Sequence, residues 1–172
     1  MSPAPSTRQN QPTPARRQRW PWLVALVVLG LDQFSKAWAL QQLPAGQVAP
    51  LLPGLLQLRR VGNSGAAFSL LSGNSLGLGL VSAAVALAVA GWMLLRPPQG
   101  RWLKLAAALV LAGAIGNGLD RWRHGAVVDF LELVPIQFPI FNIADVAINV
   151  AVVCFLLDSW PRRQPPGPPA SV

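Results

Sequence analysis

Residues 116–145 have the sequence GNGLDRWRHGAVVDFLELVPIQFPIFNIAD, which contains three aspartates, Asp120, Asp129 and Asp145, in a chain that has only six acidic residues. The segments around them are apolar and long enough to lie in a bilayer. An ionisable side chain is costly in hydrocarbon, so a carboxylate there is a candidate functional residue. Asp129 (VVDF) and Asp145 (FNIAD) fall at the expected membrane edge. Two carboxylates in a partly dry site can activate water for hydrolysis without a metal, and this is our first functional hypothesis.

The composition indicates a membrane protein with one domain. Of the 172 residues, 52% are hydrophobic and only 12% are charged, whereas a soluble domain carries about 25% charged residues. The single cysteine, Cys154, excludes an internal disulfide and a multi-cysteine metal site. The single histidine, His124, argues against a histidine-based zinc site. We therefore predict neither a bound metal nor a cofactor.

The distribution of positive charge predicts the topology. Nine of the 14 Lys and Arg residues flank the apolar segments at positions that share one side of the membrane if four segments cross it. These nine are Arg8, Arg16, Arg17, Arg19, Arg96, Arg101, Lys104, Arg162 and Arg163. Because short basic loops stay in the cytoplasm, both termini are expected inside. Topology thus explains the net charge of +8, and nucleic-acid binding is not expected.

Four apolar segments are predicted to cross the membrane, at about residues 21–40, 75–95, 102–120 and 141–158. A cleaved signal peptide would also explain the basic start and short apolar run of the first segment. However, Asp32, Gln33 and Lys36 stand where cleavage would need small residues. The regions 1–19 and 161–172 are rich in Pro and polar residues and are expected to be disordered tails. Residues 20–160 are then a single membrane domain.

Two segments between the spans are too broken to cross the membrane as helices. Residues 41–73 contain three prolines and five glycines, which predicts short extended pieces and an amphipathic, surface-lying stretch. Residues 121–139 are expected to return along the outer surface, with two prolines as helix breakers. The predicted fold is an all-α membrane protein of four helices, with a small extracytoplasmic β/loop segment between the first and second helix.

Two polar groups allow a structural as well as a functional interpretation. Asp32 and Lys36 are four residues apart on one helix face, which fits an ion pair near the membrane edge as well as a site. Asn63 and Gly65 lie among small residues (VGNSGAAF), which fits a tight turn as well as close approach of the backbone to a ligand. Taken alone, the turn is the simpler interpretation of the second group.

Other polar residues cluster at the predicted outer ends of the third and fourth helices. Asn117, Asp120 and Arg121 have i, i+3, i+4 spacing and form one patch, in which Asp120 is expected to pair with Arg121. Asn142 and Asp145 fit a helix N-cap with an acid at the third helical position. A cap alone rarely places its acid in a run as apolar as IADVAINVAVV, so we also favour a site role for this pair.

In this order, the blocks resemble the signal peptidase II family. The resemblance rests on Asp32-Gln33 with Lys36, on residues 63–68 (NSGAAF), on Gly116-Asn117 with Asp120-Arg121, on residues 127–130 (VVDF), and on Phe141-Asn142 with Ala144-Asp145. It covers about residues 32–149, and five weak blocks in order on a four-helix background are together specific. Phe138 stands where the family often has tryptophan, and the long N-terminal tail lies outside the pattern.

The resemblance implies an aspartic endopeptidase of the bacterial inner membrane, with its site at the extracytoplasmic face. Enzymes of this family remove signal peptides from prolipoproteins before a diacylglyceryl-modified cysteine, work beside membrane lipid and are inhibited by globomycin. By that similarity Asp129 and Asp145 are the catalytic pair. The supporting residues in the matched blocks are Asp32, Lys36, Asn63, Gly65, Asn117, Asp120, Arg121 and Asn142.

Two other classes of protein compete with the peptidase hypothesis. A small proton or ion transporter is one, because membrane carboxylates also form proton relays. Against it, the acids gather at one face instead of stepping across the bilayer. A non-catalytic membrane scaffold is the other, and it would tolerate the loss of Asp129 and Asp145.

Overall fold

The elements of the fold follow the apolar segments of the sequence. A computed structural model describes residues 19–65 and 74–160. It contains α1 (Trp20–Gln42), β1 (Val48–Leu52), β2 (Leu56–Asn63), α2 (Ser75–Leu95), α3 (Arg101–His124), β3 (Val127–Leu133) and α4 (Ile143–Ser159). The predicted tails, apart from Arg19, lie outside these ranges, as do residues 66–73, which hold part of the NSGAAF block and of the predicted amphipathic stretch.

In the described ranges, three helices are long and apolar enough to cross a membrane. These are α1, α2 and α3, with mean hydropathies of 1.5, 2.2 and 1.5. The fourth helix, α4, has 17 residues, or about 25 Å of helix, which is slightly less than the ~30 Å hydrocarbon core. Side chains such as Phe34, Leu87 and Leu95 are 75%, 74% and 84% exposed. Apolar surface of this extent fits contact with lipid.

The central helix is α3, which packs against the other three helices. Its 13 buried residues are mostly alanine and glycine. A Cβ atom added to Gly113 would lie 2.8 Å from the backbone oxygen of Ala144, and one added to Gly116 would lie 2.5 Å from Oδ2 of Asp32. The small residues therefore allow α4 and α1 to approach α3 closely.

The three strands form one antiparallel sheet in the order β1-β2-β3. Phe130 of β3 packs with Leu58 of β2 and with Ala39 and Leu43 at the end of α1. The extended pieces predicted within 41–73 are confirmed as β1 and β2. A third strand, β3, which was not predicted, lies in the segment after α3 and pairs along β2. Its first four residues are all buried, so no polar/apolar alternation marks the strand in the sequence.

Two helix ends lie a few residues from the predicted span limits, because these helices end at capping residues rather than at the edges of the apolar runs. The helix α3 continues past residue 120 to His124. It ends at Gly125, whose φ of 69° is left-handed and whose N–H donates to the oxygen of Arg121 at 3.1 Å. The helix α4 begins at Ile143 and is capped by Asn142. The end of α3 precedes β3 in the chain and the start of α4 follows it, so both helix ends bring polar residues to the sheet.

Candidate active site

The strand that carries Asp129 is joined to the start of α4 by a closed loop. The N–H groups of Phe130 and Leu131 donate to the oxygen of Phe141 at 3.1 and 2.9 Å, and the Phe141 N–H donates to the oxygen of Leu131 at 2.9 Å. These bonds clamp the two ends of the loop together. Asn142, the next residue along the chain, is thereby held beside Asp129.

Asp129 is buried, with 2% of its surface exposed, and both of its oxygens accept hydrogen bonds. Asn63 Nδ2 donates to Oδ2 at 3.0 Å, and Asn142 Nδ2 donates to Oδ1 at 2.6 Å. Burial raises the pKa of Asp129 to about 6; the hydrogen bond from Asn63 opposes this rise, and the neighbouring carboxylate of Asp145 adds to it. This carboxyl group can therefore change its protonation state near neutral pH.

Asp145 is held by the predicted N-cap. Asn142 Oδ1 accepts from the Asp145 N–H at 3.0 Å, and the Asn142 N–H donates to Asp145 Oδ2 at 3.2 Å, which completes a capping box. Asn117 Nδ2 donates to the other oxygen, Oδ1, at 2.8 Å. Asn142 also binds Asp129, so the cap interpretation and the placement beside a second carboxylate are both confirmed.

A buried ion cluster lies behind these two carboxylates. Lys36 Nζ lies 2.9 Å from Asp32 Oδ2, 2.9 Å from Asp120 Oδ2 and 3.0 Å from Asn117 Oδ1. The ion pair predicted between Asp32 and Lys36 is confirmed. The predicted pairing of Asp120 with Arg121 is wrong, since Asp120 pairs with Lys36. Adjacent residues on a helix do not face each other, so these two side chains leave α3 in different directions.

Arg121 instead ties the end of β2 to α3. It donates from one guanidinium nitrogen to the Gly65 oxygen at 3.0 Å and from another to the Asn117 oxygen at 3.3 Å. The Gly65 N–H in turn donates to Asn63 Oδ1 at 3.0 Å, which confirms the local turn. The same Asn63 side chain binds Asp129, so the turn also places a donor in the site.

Several groups that complete the cluster were not predicted as site residues, although Gln33 stands in one of the matched blocks. The Ala144 N–H donates to Asp32 Oδ1 at 2.9 Å, and the Val128 N–H donates to Asp120 Oδ2 at 3.1 Å. Gln33 Nε2 donates to Asp32 and to Asp120, at 3.1 and 3.2 Å. A polar residue in an apolar segment could have indicated Gln33, whereas backbone donors leave no mark in a sequence.

A cavity of about 570 Å³ lies elsewhere, on the sheet. It is lined by residues 133–139 and by Gln57, Arg59 and Glu132, whose carboxylate accepts hydrogen bonds from both of the other side chains. The described lining contains none of the predicted site residues. The polar cluster, rather than this void, therefore marks the candidate site.

All of the site residues predicted from the sequence belong to one hydrogen-bond network. The network runs from Asn63 through Asp129 and Asn142 to Asn117. Asn117 then contacts Asp145 and the ion cluster. Two carboxylates held together in a largely buried site can share a proton and activate a water molecule. The arrangement is thus chemically suited to hydrolysis.

Comparison with known proteins assigns the chain to a family. A family model described as "Signal peptidase (SPase) II" matches residues 24–161. A lipoprotein signal peptidase of Synechococcus sp. (strain RCC307) is 51% identical over 150 residues, which are 87% of this chain and 99% of that protein. One of Parasynechococcus marenigrum (strain WH8102) is 50% identical over 140 residues, covering 81% of this chain and 88% of that protein.

A solved structure supports the same assignment. A bacterial membrane enzyme superposes with a TM-score of 0.75 at 28% sequence identity, over 81% of this chain and 86% of the other. The family match spans most of the chain and includes every residue of the network described above. The expected resemblance is therefore confirmed, and the chain belongs to the signal peptidase II family of peptidases.

Proposed function

We propose that this protein is an aspartic endopeptidase that removes signal peptides from prolipoproteins by cleaving before the diacylglyceryl-modified cysteine. Family membership supports the cleavage of lipoprotein signal peptides. The observation that carries the aspartic mechanism is the placement of Asp129 and Asp145. Asn142 binds both carboxylates, and the hydrogen bonds that hold them come from neutral amides.

The reaction follows from a proton shared by the two carboxyl groups. The ionised carboxylate takes a proton from a water molecule, whose oxygen attacks the scissile carbonyl carbon. The protonated carboxyl donates a hydrogen bond and then its proton to the carbonyl oxygen. When the tetrahedral intermediate collapses, the C–N bond breaks and the leaving amine takes a proton from the first carboxyl. A hydroxyl of the intermediate returns its proton to the second carboxylate as the new carbonyl forms. The pair then holds one proton again.

The supporting residues position this pair in three ways. Asn63, Asn117 and Asn142 direct amide donors at the carboxylates. Arg121 and Gly65 hold the end of β2 against α3. The ion cluster of Asp32, Lys36 and Asp120 joins α1 to α3 behind the site.

Residues 20–160 form one membrane domain in this proposal, with α4 as the fourth span and both termini in the cytoplasm. The positive-inside distribution of Lys and Arg supports this orientation. It places the sheet, and the carboxylates beneath it, at the extracytoplasmic face of the inner membrane. The acyl chains of a prolipoprotein can then stay in the bilayer while its peptide bond reaches the pair. Globomycin-type inhibitors would occupy the same place.

Cleavage of a diacylglyceryl-modified prolipoprotein by the purified protein in detergent tests the proposal. We expect wild-type protein to cleave the substrate in the presence of EDTA and to be blocked by globomycin. Asp129→Asn and Asp145→Asn should be folded and inactive. Cleavage that persists in either folded variant would contradict the aspartic pair. If the wild-type protein fails to cleave, the transporter hypothesis is tested next by proton flux in liposomes.

A further inference from the structure

We propose that Lys36 is a positioning residue that fixes the orientation of the Asn117 amide and thereby the hydrogen bond that Asn117 donates to Asp145. The inference rests on the proposed function and assigns a role to a residue that has no direct hydrogen bond to either carboxylate of the pair. Lys36 belongs to α1, whereas Asn117 and Asp145 belong to α3 and α4. Through Lys36, the geometry of the carboxylate pair therefore depends on α1, a helix that carries neither of the two carboxylates.

The chemistry of lysine determines which end of the Asn117 amide faces it. An ammonium group has three N–H donors and no acceptor. Lys36 Nζ lies within 3.0 Å of three oxygens, those of Asp32, Asp120 and Asn117, so each donor has a partner. The Asn117 atom that faces Lys36 must be the oxygen, because an NH₂ group there would meet a donor. The NH₂ group then points to Asp145 Oδ1, at 2.8 Å.

The reversed amide would be unfavourable at both ends. Its NH₂ group would face the Lys36 ammonium and the Asn142 NH₂ group, which also donates to Asn117 Oδ1, at 3.1 Å. Its oxygen would face the Asp145 carboxylate. Of the two donors to Asn117 Oδ1, Lys36 carries the charge, and a charge-assisted hydrogen bond is the stronger type.

The other two amides are oriented by backbone donors close to them in the chain. Asn142 Oδ1 accepts from the Asp145 N–H, and Asn63 Oδ1 accepts from the Gly65 N–H. For Asn117 the orienting donor is instead the side chain of Lys36, which belongs to another helix. The result is the same for all three, since each directs its NH₂ group at a carboxylate oxygen.

A double-mutant cycle tests whether the effect of Lys36 on kcat is transmitted through Asn117. Asp32→Asn serves as the background, so that the loss of Lys36 leaves the net charge of the cluster as it is in the wild-type protein. In this background Lys36→Met should lower kcat by about tenfold at an unchanged KM, at the low end of the losses seen when an orienting partner of a functional side chain is removed. The loss is partial because the Asn142 donor remains. When Asn117→Ala is also present, Lys36→Met should cost no further factor in kcat.

The matched control is Arg96→Met, which removes an exposed cation at the end of α2 and should leave kcat unchanged. If the Lys36→Met protein does not fold, the same cycle is run with Lys36→Leu, which also removes every donor at this position but has a different apolar shape. The inference is overturned if the loss of Lys36 leaves kcat unchanged, or if it lowers kcat equally with and without Asn117. A failure of the proposed function itself gives a different result. In that case the wild-type protein does not cleave the prolipoprotein, or the folded Asp129→Asn protein still cleaves it.

Discussion

The site contains two pairs of carboxylates that are neighbours in space and opposite in character. Asp32 and Asp120 share the ammonium of Lys36 and receive backbone N–H donors from Ala144 and Val128. Asp129 and Asp145 are held by asparagine amides and by the backbone at the start of α4. Asn117 connects the two pairs, since its oxygen faces Lys36 and its NH₂ group faces Asp145.

One small helix bundle therefore holds buried acids in two ways, by an ion pair with a lysine and by hydrogen bonds from neutral amides. A buried carboxylate with an opposite charge at hydrogen-bond distance has its charge compensated and joins the helices that carry the two groups. A buried carboxylate held by neutral amides keeps its desolvation penalty, and burial raises the pKa of Asp129 to about 6. The first pair is thus structural and the second is suited to chemistry, although both are aspartates in apolar surroundings.

The largest effect is expected from removing a carboxylate of the second pair. Asp129→Asn should lower the rate of cleavage by about 1000-fold or more, because one partner in general acid–base catalysis is lost. Its free energy of unfolding should fall by about 1–3 kcal/mol, because both oxygens of Asp129 accept from an asparagine NH₂ group and the substituted amide keeps only one of these acceptors. A gel-shift cleavage assay and thermal unfolding in detergent measure the two quantities. A large loss of stability would show that Asp129 is as structural as Asp32.

The opposite result is expected for the first pair. Lys36→Met leaves Asp32 and Asp120 buried without their cation, which should cost about 3–5 kcal/mol of stability. Thermal unfolding in detergent measures the loss. Lys36→Met combined with Asp32→Asn is the matched control and should regain part of the stability, because one of the two uncompensated charges is gone. Equal stability of Lys36→Met and wild type would remove the distinction between the pairs.

A smaller effect is expected from the close contact that brings Asp32 to α3. Gly116→Ala would place a Cβ atom 2.5 Å from Asp32 Oδ2, and overpacking of this kind costs about 1–3 kcal/mol. The control is Gly91→Ala in α2, where a Cβ atom meets nothing within 4 Å. That change should be neutral or stabilising by up to about 1 kcal/mol, since alanine favours helix over glycine. Identical unfolding midpoints for the two variants would contradict the close packing.

The smallest change concerns the pH dependence of the second pair. Burial, and to a lesser extent the charge of Asp145, raises the pKa of Asp129 to about 6, so the pair takes up its first proton as the pH falls through that value. The mechanism needs one shared proton, so kcat/KM should rise as the pH falls from 8 towards 6 and fall again when the second proton binds. The Asn63 hydrogen bond lowers the pKa of Asp129, so Asn63→Ala should move the alkaline limb to higher pH. If the alkaline limb does not move in Asn63→Ala, the Asn63 hydrogen bond does not influence the pKa of Asp129.

Much of the site could be predicted because its residues are unusual where they stand. An acid in VVDF, an Asn-x-x-Asp step at a helix start and a Lys four residues after an Asp are each visible in an apolar chain. The capping box and the Asp32–Lys36 pair were predictable because both are set by local helix geometry. The strand β3 was missed because its burial on both faces removes the alternation that marks a strand.

Hydropathy along the chain was thus sufficient to predict the membrane class and the apolar helices, and the family resemblance of its polar blocks supplied the candidate site residues. The tertiary structure alone decided which acid has which partner. Lys36 reaches Asp120, and Asn142 reaches Asp129, only after α1, α3 and the closed loop have packed together. Spacing along the chain favoured Arg121 as the partner of Asp120, but neighbours on a helix diverge, and contacts between distant elements are set by packing.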